Sequence, residues 1–568
     1  MKAEIKKAIA IGAKKIFGSI HLPDFVVEVP GEAGHGDYAS NIALVLAKTL
    51  KKNPIEIASA LAAELKKNPG LAADIKIAQP GFINFFVNPE YLGGLLKQAL
   101  RKKEKFGQGE NKKETVVIEY SSPNIAKPFG VHHLGSTIIG QALVNVMRFA
   151  GYKAVSLSFP GDWGTQFGLL IAGYKRWGDP QKIKKDPIAE LLNLYVRFSQ
   201  AAKDDPELLD EGRREFKKLE NGDKENLKLL KWFSDESMHD FNRVYKMLGV
   251  KIEHTIGESF YEPELKSLVE DALRRGIAKR GKDGSVVIPI PSSPTPEIIQ
   301  KSDGATIYTT RELAAIRHRI KKWRASKLLY VAANQQTFHL EQVFASAVLL
   351  GYAKREQLIH VKFGMMLGSG GKKFATREGK LIPLEQVLKE AVERARSVVE
   401  KLNPDLPQRQ KEKIAKIVGI GAVKFFDLSQ NRLSDIVFEW DKMLNLKGSS
   451  APYIQYSYAR LKSILRKARR VNKKFDPLLL KQEKELAILR HLLHFSEVIT
   501  EVVLRYEPNR LAEYLLQLAE KVNAFYETTP VLKSEKELRN ARLSLVQAAA
   551  MVIKTGCNLL GIEVPEEM

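Results

Sequence analysis

The sequence is poor in cysteine and lacks long apolar runs. It contains one cysteine, Cys557, among 568 residues, which excludes a disulfide framework and a zinc site built on cysteines. No apolar run reaches the ~18 residues that cross a membrane. The first helical segment mixes lysine with isoleucine and alanine and so lacks the uninterrupted apolar stretch of a signal peptide. We therefore expect a cytoplasmic protein with no membrane partner.

The sequence has fewer acidic than basic residues. Lysine and arginine number 90 against 66 aspartates and glutamates, a net charge of +24. This surplus favours a polyanionic partner, above all nucleic acid, although a basic surface can also serve solubility alone. The hydrophobic content of 44% is typical of a globular protein and excludes a largely disordered one. The length suggests about three to four domains.

The chain begins with a small α/β pattern. Residues 1–110 predict an N-terminal α/β domain, and the polar, glycine-containing stretch 106–113 is the best linker candidate. Hydrophobic periodicity predicts the helices and strands of this domain. The helices are Lys2–Phe17, Ala39–Lys51 and Pro54–Leu65, and the strands are Phe25–Val29 and Phe82–Val87.

Residues 111–383 repeat a strand–helix–strand pattern, which predicts a Rossmann-type, doubly wound parallel sheet. The two halves flank a charged, mostly helical insertion at about 173–293. The predicted elements are Thr115–Tyr120, Ser136–Phe149 and Lys153–Phe159, then Lys327–Ala333, Leu340–Leu350 and Leu358–Phe363. Beyond it we predict a helical connector at 384–447 and an all-α helical bundle at 448–568.

The loop after the first strand of this domain is the richest in chemistry. It holds Glu119, Asn124, Lys127 and the pair His132 and His133. Ligands bind at the carboxyl ends of strands in such sheets, and the free N–H groups of a helix N-terminus suit phosphate. Two adjacent histidines alone would favour a plain surface loop before a capped helix, but the strand context favours a site.

The stretch Ser121–Phe129 resembles the lead-in to the HIGH motif of class I aminoacyl-tRNA synthetases, specifically the arginyl-tRNA synthetase family. Other segments resemble the same family in order along nearly the whole chain. They are Gly34–Asn41, Pro80–Asn84, Gly161–Gly168, Leu219–Asp223, Gly257–Tyr261, Tyr308–Glu312, Gln336–His339, Ser450–Arg460 and Leu559–Met568. One match would be weak, but their number and order make the resemblance specific.

The HIGH motif itself departs from the family pattern of His-x-Gly-His. In register, this chain has Gly130 in place of the first histidine and His132 in place of the glycine, and it keeps His133. The arginine common after the next leucine is Gly135. A side chain at 132 could obstruct the adenine, or His132 could supply the lost imidazole from a neighbouring position.

The counterpart of the KMSKS loop also departs. Phe374–Gly379 stands where the family has a basic loop, with Glu378 where a cation is usual. The preceding stretch offers Lys372 and Lys373, which could close over the pyrophosphate end of ATP. Glycine-rich stretches of this kind are also common as plain turns.

By resemblance, the nucleotide side of the site consists of the loop and the following helix start. The resemblance implies ATP contacts from Pro128, Phe129, Gly130, His133 and Ser136. His133 and Lys127 would donate to the phosphates as charge develops, with His132, Lys372 and Lys373 as further catalytic candidates. Mg²⁺ would accompany the ATP, and the sequence suggests no protein metal cage.

By the same resemblance, Glu312 takes the position that pairs with the guanidinium of arginine, where the family usually has aspartate. Tyr308 precedes it by one helical turn and shares its face. Glu119 and Asn124 map to residues that hold the charged or α-amino end of the substrate, and Gln336 maps to a further contact. Without the resemblance, Glu312 would more simply be a surface acid beside Arg311 or Arg317.

Two regions are expected to contact tRNA. Phe82 and Asn84 resemble a stacking and hydrogen-bonding pair that reads a base in the tRNA elbow, although both could be buried in their strand. The predicted helix Tyr453–Asn472 interleaves aromatics with cations suited to anticodon bases and phosphates. Its tRNA-binding candidates are Tyr453, Tyr456, Arg460 and Arg466, and some of its tyrosines could be core.

The resemblance implies an arginine–tRNA ligase that forms arginyl-adenylate from ATP and transfers arginine to the 3′-terminal adenosine of tRNA(Arg). We expect a monomer. The paired Tyr308 and Glu312 argue against a class I enzyme for another amino acid. Gly130, His132 and Glu378 leave open a paralogue that binds tRNA but has lost catalysis.

Overall fold

The computed structural model describes residues 1–68, 70–368, 382–472 and 474–568. The N-terminal domain packs helices against a four-stranded antiparallel sheet of order β1-β2-β4-β3. Its strands are β1 (Val27–Glu28), β2 (Tyr38–Ser40), β3 (Asp74–Ala78) and β4 (Phe82–Phe86), and its helices are α1 (Lys2–Phe17), α2 (Ile42–Leu50), α3 (Pro54–Leu65) and α4 (Pro89–Lys102). Asn53 and Asn88 cap α3 and α4 through their side chains, each followed by proline at the first helical position.

The central domain contains a five-stranded, fully parallel sheet of order β12-β11-β5-β6-β7. The strand order reverses between β5 and β11, the switch point where ligands bind in such sheets. The strands are β5 (Thr115–Glu119), β6 (Lys153–Ser158), β7 (His254–Thr255), β11 (Lys327–Ala333) and β12 (Leu358–Phe363). This confirms the predicted Rossmann-type fold class.

Both faces of this sheet are covered, which explains the nearly continuous apolar runs in its strands. Val116 and Ile118 face one core cluster, and Val117 between them faces the other. The helices of the two halves are α5 (Leu134–Phe149), α6 (Thr165–Trp177), α12 (Tyr308–Trp323) and α13 (Thr337–Leu349).

The insertion begins as predicted, with helices, but it ends in a sheet that the prediction did not contain. The helices are α7 (Pro180–Lys185), α8 (Pro187–Asp204), α9 (Pro206–Glu220), α10 (Lys224–Leu248) and α11 (Glu262–Arg274). The antiparallel strands are β8 (Lys279–Arg280), β9 (Val286–Ile288) and β10 (Glu297–Gln300). Gly284, with φ of +87°, makes the turn before β9, and Asp283 bonds to Ser285 there.

Beyond β12, the described residues are mainly helical. Strands β13 (Met366–Leu367) and β14 (Ile436–Val437) pair in parallel as a separate two-stranded sheet. The connector helices α14 (Leu384–Leu402) and α15 (Gln408–Leu428) pack together. The C-terminal bundle is all-α, as predicted. Its helices are α17 (Ala451–Ala468), α18 (Glu483–Leu493), α19 (Phe495–Arg505), α20 (Asn509–Thr528) and α21 (Lys536–Leu559), preceded by the short α16 (Trp440–Met443).

Element types predicted from periodicity mostly agree with the structure, with small shifts at the ends. The predicted helix Ala39–Lys51 begins only at Ile42, because residues 38–40 form β2 instead. Strand β3 was missed. Within the described ranges, no helix is long and apolar enough to cross a membrane.

Candidate active site

The loop between β5 and α5 lies at the switch point and is held by hydrogen bonds. The hydroxyl of Ser136 accepts from the N–H of Ser121 at 2.9 Å and donates to the carbonyl of Val331 in β11 at 2.8 Å. Ser121 and Ala126 adopt φ of +53° and +59°, which non-glycine residues rarely do. Strain of this kind persists where the surroundings enforce it, as at functional sites. Since the Ser136 hydroxyl is occupied, any contact of this residue with ATP would come from its backbone.

His133 is a neutral donor in this loop. The N–H of Gly130 donates to its Nδ1 at 3.1 Å, so the ring proton resides on Nε2. The ring packs on Phe129, with centroids 4.8 Å apart. Burial and the neighbouring His132 lower the pKa of His133 to about 3. Neutral imidazole with a free Nε2–H suits donation to an anionic group without adding a charge.

His132 lies beside Gly130. Its ring centroid is 3.9 Å from that of His133. A Cβ added at Gly130 would lie 2.7 Å from Nδ1 and 2.8 Å from Cε1 of His132, distances that real Cβ atoms do not show. The His132 imidazole therefore occupies the space that a side chain at 130 would enter. Burial lowers the pKa of His132, which favours its neutral form.

The other nucleotide-side candidates are placed unequally. Phe129 is buried against Phe241 and Tyr245, with ring centroids 5.6 and 5.4 Å away, and so supports the loop from beneath. Lys127 and Pro128 are partly exposed at its surface. Gly130 pairs with Pro383 in an antiparallel bridge, and Val131 donates to the carbonyl of Ile382 at 3.3 Å. The candidates Lys372, Lys373 and Glu378 lie outside the described residues.

A cavity of about 370 Å³ opens next to this loop. The loop contributes Val131 and His132, α5 contributes Gly135, and the ends of the neighbouring strands complete the walls. Its other lining residues are Ala333, Gln335, Phe363, Gly364, Met365, Met366, Leu367 and Asp427. Its apolar walls next to a phosphate-type loop suit the base of a nucleotide.

The predicted amino-acid pocket is a buried cluster of charges on α12 and β5. Glu312 is only 1% exposed. Its Oε1 accepts from the hydroxyl of Tyr308 at 2.7 Å, as the shared helix face predicts. Its Oε2 has no hydrogen-bond partner within the described ranges. The interpretation of Glu312 as a surface acid is therefore wrong, because Arg311 bonds Glu262 and Arg317 bonds Glu264 instead.

Arg319 lies beneath this pocket and was not predicted from the sequence. It is 1% exposed, and its Nη1 donates to Glu119 and, at 2.9 Å, to the hydroxyl of Tyr330. Its position seven residues after Glu312, two helical turns on, is the signal that could have found it. Two carboxylates and one guanidinium leave one negative charge when all are ionised, the complement of a single cation.

The electrostatics of this cluster follow from burial. Burial raises the pKa of Glu119 to about 7, although Arg319 opposes the rise and Glu312 adds to it. Burial also raises the pKa of Glu312, opposed by Arg319 and by the Tyr308 hydroxyl. Glu258, from the insertion, has its pKa raised to about 8 by burial, with Arg311 opposing and Glu312 adding. A bound cation would stabilise the ionised forms of all three carboxyl groups.

Asn124 and Gln336 are exposed rather than bonded into this cluster. Asn124 forms a parallel bridge with Gly161, where a Cβ would lie 2.2 Å from its Oδ1. Gln336 ends a single 3₁₀ turn after β11. The ring that contacts Tyr308 belongs to His339, with centroids 5.0 Å apart. Both candidates lie at the carboxyl edge of the sheet, free to meet a ligand.

The two candidate tRNA surfaces differ in accessibility. In β4, Phe82 is partly exposed but Asn84 is 4% exposed within the sheet, so a base would need to approach from the Phe82 end. In α17, Tyr453 and Tyr456 are partly exposed, whereas Tyr458 is buried, as the core interpretation allowed.

Arg460 and Arg466, the two candidate cations of α17, have partners within the C-terminal domain. The guanidinium of Arg460 lies 4.4 Å from the ring of Tyr456 and 5.0 Å from that of Tyr526. Arg466 donates to the carbonyl of Glu566 at 2.8 Å and pairs with Glu567 at 3.2 Å. Arg460 thus forms a cation–aromatic cluster with two tyrosines at the surface of the bundle.

Three family models match the chain in sequence order. The arginyl tRNA synthetase N terminal domain matches residues 2–87, the catalytic domain of tRNA synthetases class I (R) matches residues 95–440, and the DALR anticodon binding domain matches residues 454–568.

Curated relatives and solved structures agree with this match. A relative from Halothermothrix orenii named arginine–tRNA ligase is 38% identical over 549 residues, covering 96% of each chain. One from Clostridium botulinum with the same name is 40% identical over 554 residues, covering 97% of each. The arginyl-tRNA synthetases of Plasmodium falciparum and Thermus thermophilus are each 26% identical. They superpose with TM-scores of 0.85 and 0.83 over 100% of this chain and 99% and 100% of theirs.

Proposed function

The chain belongs to the class I arginyl-tRNA synthetase family and is an arginine–tRNA ligase, and we propose how its residues divide the work. The enzyme uses ATP to join arginine to tRNA. In the first step a carboxylate oxygen of arginine attacks the α-phosphorus of ATP, the bond to the β-phosphate breaks and pyrophosphate leaves. In the second, a ribose hydroxyl of the tRNA attacks the activated carbonyl and AMP leaves. Neither step needs a protein nucleophile.

We propose that the arginine substrate lies with its guanidinium against Glu312 and Tyr308. The observation that carries this assignment is the buried Oε2 of Glu312, which lacks a partner in the described chain while Oε1 is bonded to Tyr308. A guanidinium supplies paired donors in a fork that suits a carboxylate. Glu119, held by Arg319, adds a second acceptor, and Asn124 and Gln336 lie where they can meet the α-amino or carboxylate end.

The proposed role of His133 is to donate from Nε2–H to ATP phosphate oxygens as negative charge develops. Lys127 would add a mobile cation from the loop surface, and the backbone of Pro128 to Gly130 and the start of α5 would follow the nucleotide. His132 would stand in for the missing first histidine, since its ring occupies the space beside residue 130. The ATP enters as its Mg²⁺ complex, because Mg²⁺ binds through substrate phosphates in such sites.

The remaining assignments concern partners and organisation. We propose that Phe82, Asn84, Tyr453, Tyr456, Arg460 and Arg466 contribute to tRNA binding, within domains bounded near residues 110, 383 and 447. We further propose that the enzyme acts as a monomer, which size-exclusion chromatography with light scattering would test. One buried thiol, Cys557, fits a reducing cytoplasm.

Arginine-dependent exchange of pyrophosphate into ATP, with and without tRNA, tests the proposed site. Family resemblance and Glu378 in the KMSKS-like loop predict negligible exchange with arginine alone and clear exchange once tRNA is added. Exchange that is indifferent to tRNA would remove this requirement. Tight tRNA binding without exchange under any condition would contradict the catalytic assignment.

A position swap tests His132. His132→Gly should reduce tRNA-dependent exchange about tenfold or more, the effect of losing one transition-state donor. Gly130→His alone should also be impaired, because its side chain would collide with the His132 ring. The double variant Gly130→His/His132→Gly restores one imidazole and should recover much of the rate. A double variant no better than His132→Gly would show that His132 is not the substitute.

Salt dependence tests the RNA surface. Phosphate contacts release counterions, so the logarithm of tRNA affinity should fall linearly with the logarithm of salt concentration between about 50 and 200 mM. Loss of the Arg460 cluster in Arg460→Ala should lower the affinity, whereas Arg213→Ala, in the insertion, serves as the matched control. An affinity unchanged by salt would mean that the basic surface is not the binding surface.

A further inference from the structure

Asp427 is a carboxylate in an otherwise mostly apolar cavity. It lies on α15, is 7% exposed, and lines the 370 Å³ cavity beside His132. Among the described residues, no side chain or N–H group is bonded to its carboxylate oxygens. Burial alone raises its pKa to about 7. Keeping such a group destabilises the folded protein, and native proteins retain a buried unpartnered polar group chiefly where it has a function.

The carboxylate faces the cavity because the opposite wall carries no side chain. A Cβ added at Gly135 would lie 3.5 Å from Oδ2 of Asp427 and 3.1 Å from the ring of Phe363. Glycine at 135 thus leaves the space between α5 and α15 open. Phe363, Met365 and Met366 supply flat or adaptable apolar surface around it.

A narrow apolar cavity with one acceptor matches a particular chemistry. A purine ring fills such a slot by stacking and dispersion, and an exocyclic amino group at its edge supplies the donor that a carboxylate requires. A carbonyl oxygen at the same edge would face the ionised carboxylate, the form that prevails above the raised pKa, and be repelled. Val131 and His132 belong both to the cavity wall and to the loop assigned to the phosphates. A base in the cavity would therefore lie next to the phosphate-binding loop, as the two parts of one nucleotide require.

We propose that Asp427 accepts a hydrogen bond from the exocyclic amino group of the adenine of ATP and so selects adenine over 6-oxopurines. This inference rests on the proposed function, since it requires the nucleotide to lie along the loop before α5. Asp427 is then a specificity residue for the nucleotide. It does not contact the reacting atoms, so its substitution should change the affinity for the base and not the chemical step.

The test compares ATP with inosine triphosphate, which carries oxygen in place of the amino group, in tRNA- and arginine-dependent pyrophosphate exchange. Wild type should prefer ATP strongly in kcat/KM, since a site built to bond a group rejects the analogue lacking it. In Asp427→Asn the amide can accept from an amino group or donate to a carbonyl. The ATP-to-inosine preference in kcat/KM should fall at least about tenfold, and most of that change should lie in the two KM values.

Two controls keep the outcome interpretable. Glu439→Gln removes an exposed carboxylate that pairs with Lys442 at 2.8 Å and should leave the preference unchanged. Equilibrium binding of AMP and IMP measures base selection in a variant that no longer turns over. An unchanged preference in active Asp427→Asn would overturn this inference alone. Absence of arginine-dependent exchange in wild type would instead contradict the proposed function.

Discussion

The two ends of the site are built on opposite principles. The proposed amino-acid pocket gathers Glu119, Glu312 and Arg319, each hydrogen-bonded; Glu312 and Arg319 are buried, and the side chain of Glu119 is 12% exposed. The proposed nucleotide end combines a neutral imidazole, backbone groups, apolar walls and Asp427. On this proposal, the first end binds a fixed cation and needs a fixed counter-charge, whereas the second accommodates charge that develops during the reaction.

The two ends should therefore differ in what a substitution changes: the free energy of folding and binding at one, and the activation free energy at the other. A buried charge network depends on every partner, since removing one leaves another uncompensated. A set of neutral donors loses one contact at a time, and each loss is felt mainly in the transition state. Substitutions in the charge network should therefore reduce both stability and substrate binding. Substitutions among the neutral donors should chiefly reduce the reaction rate.

The largest expected effect comes from breaking the charge network at Arg319. Arg319→Met should lower the free energy of unfolding by about 3–5 kcal/mol, because Glu119 would remain buried without its partner. Urea denaturation measures the change. Arg317→Met, on the same helix, removes a more exposed pair with Glu264 and should cost less than about 1 kcal/mol. Equal decreases in the free energy of unfolding for the two variants would contradict the claim that the buried network stabilises the protein more than the surface pair does.

Next in size is the loss of the substrate's counter-charge. Glu312→Gln keeps the shape but removes the charge, and kcat/KM for arginine should fall by an amount equivalent to about 2–4 kcal/mol. Steady-state exchange gives this value, and KM for ATP should remain near that of wild type. Glu264→Gln is the control, because this partly exposed acid of α11 pairs with Arg317. Matching damage to ATP binding would move Glu312 out of the pocket.

His133→Ala tests the nucleotide end. Losing one transition-state donor should reduce tRNA-dependent exchange roughly tenfold to a thousandfold, with KM for arginine little changed. His21→Ala, at an exposed site in the N-terminal domain, controls for histidine removal. Because the pKa of His133 is lowered to about 3, wild-type exchange should show no loss from its protonation between about pH 5.5 and 7. A large rise in KM for arginine would contradict the separation of the two ends.

The smallest expected effect is on pH. With pKa values of about 7 for Glu119 and about 8 for Glu258, these carboxyl groups gain charge as the pH rises from 6 to 8. Arginine stays cationic, so its KM should fall as these groups ionise, by less than about tenfold over the whole range, because Arg319 and Arg311 already offset part of the carboxyl charge. Inhibition by citrulline, a neutral isostere, should lack this slope. A KM for arginine that is flat or rises over this range would mean that the carboxyl groups are already ionised.

Much of this arrangement could be predicted from the sequence. Strands β11 and β12 and helices α1 and α3 were predicted with their observed ends, because their periodicity is clear and prolines and capping residues mark several boundaries. Tyr308 and Glu312 were predicted to meet because residues four apart share a helix face, and their hydrogen bond confirms this contact.

What the sequence did not reveal depends on contacts between distant segments. Arg319 reaches Glu119 across 200 positions, and a basic residue in a lysine- and arginine-rich helix end carries no local sign of burial. Asp427 follows an apolar run on α15 that is typical of any core helix. The sheet β8–β10 was missed because its strands are two to four residues long, too short for periodicity to separate from turns.

Lys424 links two domains and so affects how cooperatively the protein unfolds. This lysine of α15 is 1% exposed and donates to the carbonyl of Leu248, at the end of α10, at 2.7 Å and to that of Gly561, after α21. Departure of either segment leaves a buried ammonium short of an acceptor. A partly unfolded state in which only one of the two segments has detached is therefore strongly destabilised. Heating should therefore melt the catalytic domain and the C-terminal bundle as one cooperative unit, in a single calorimetric transition.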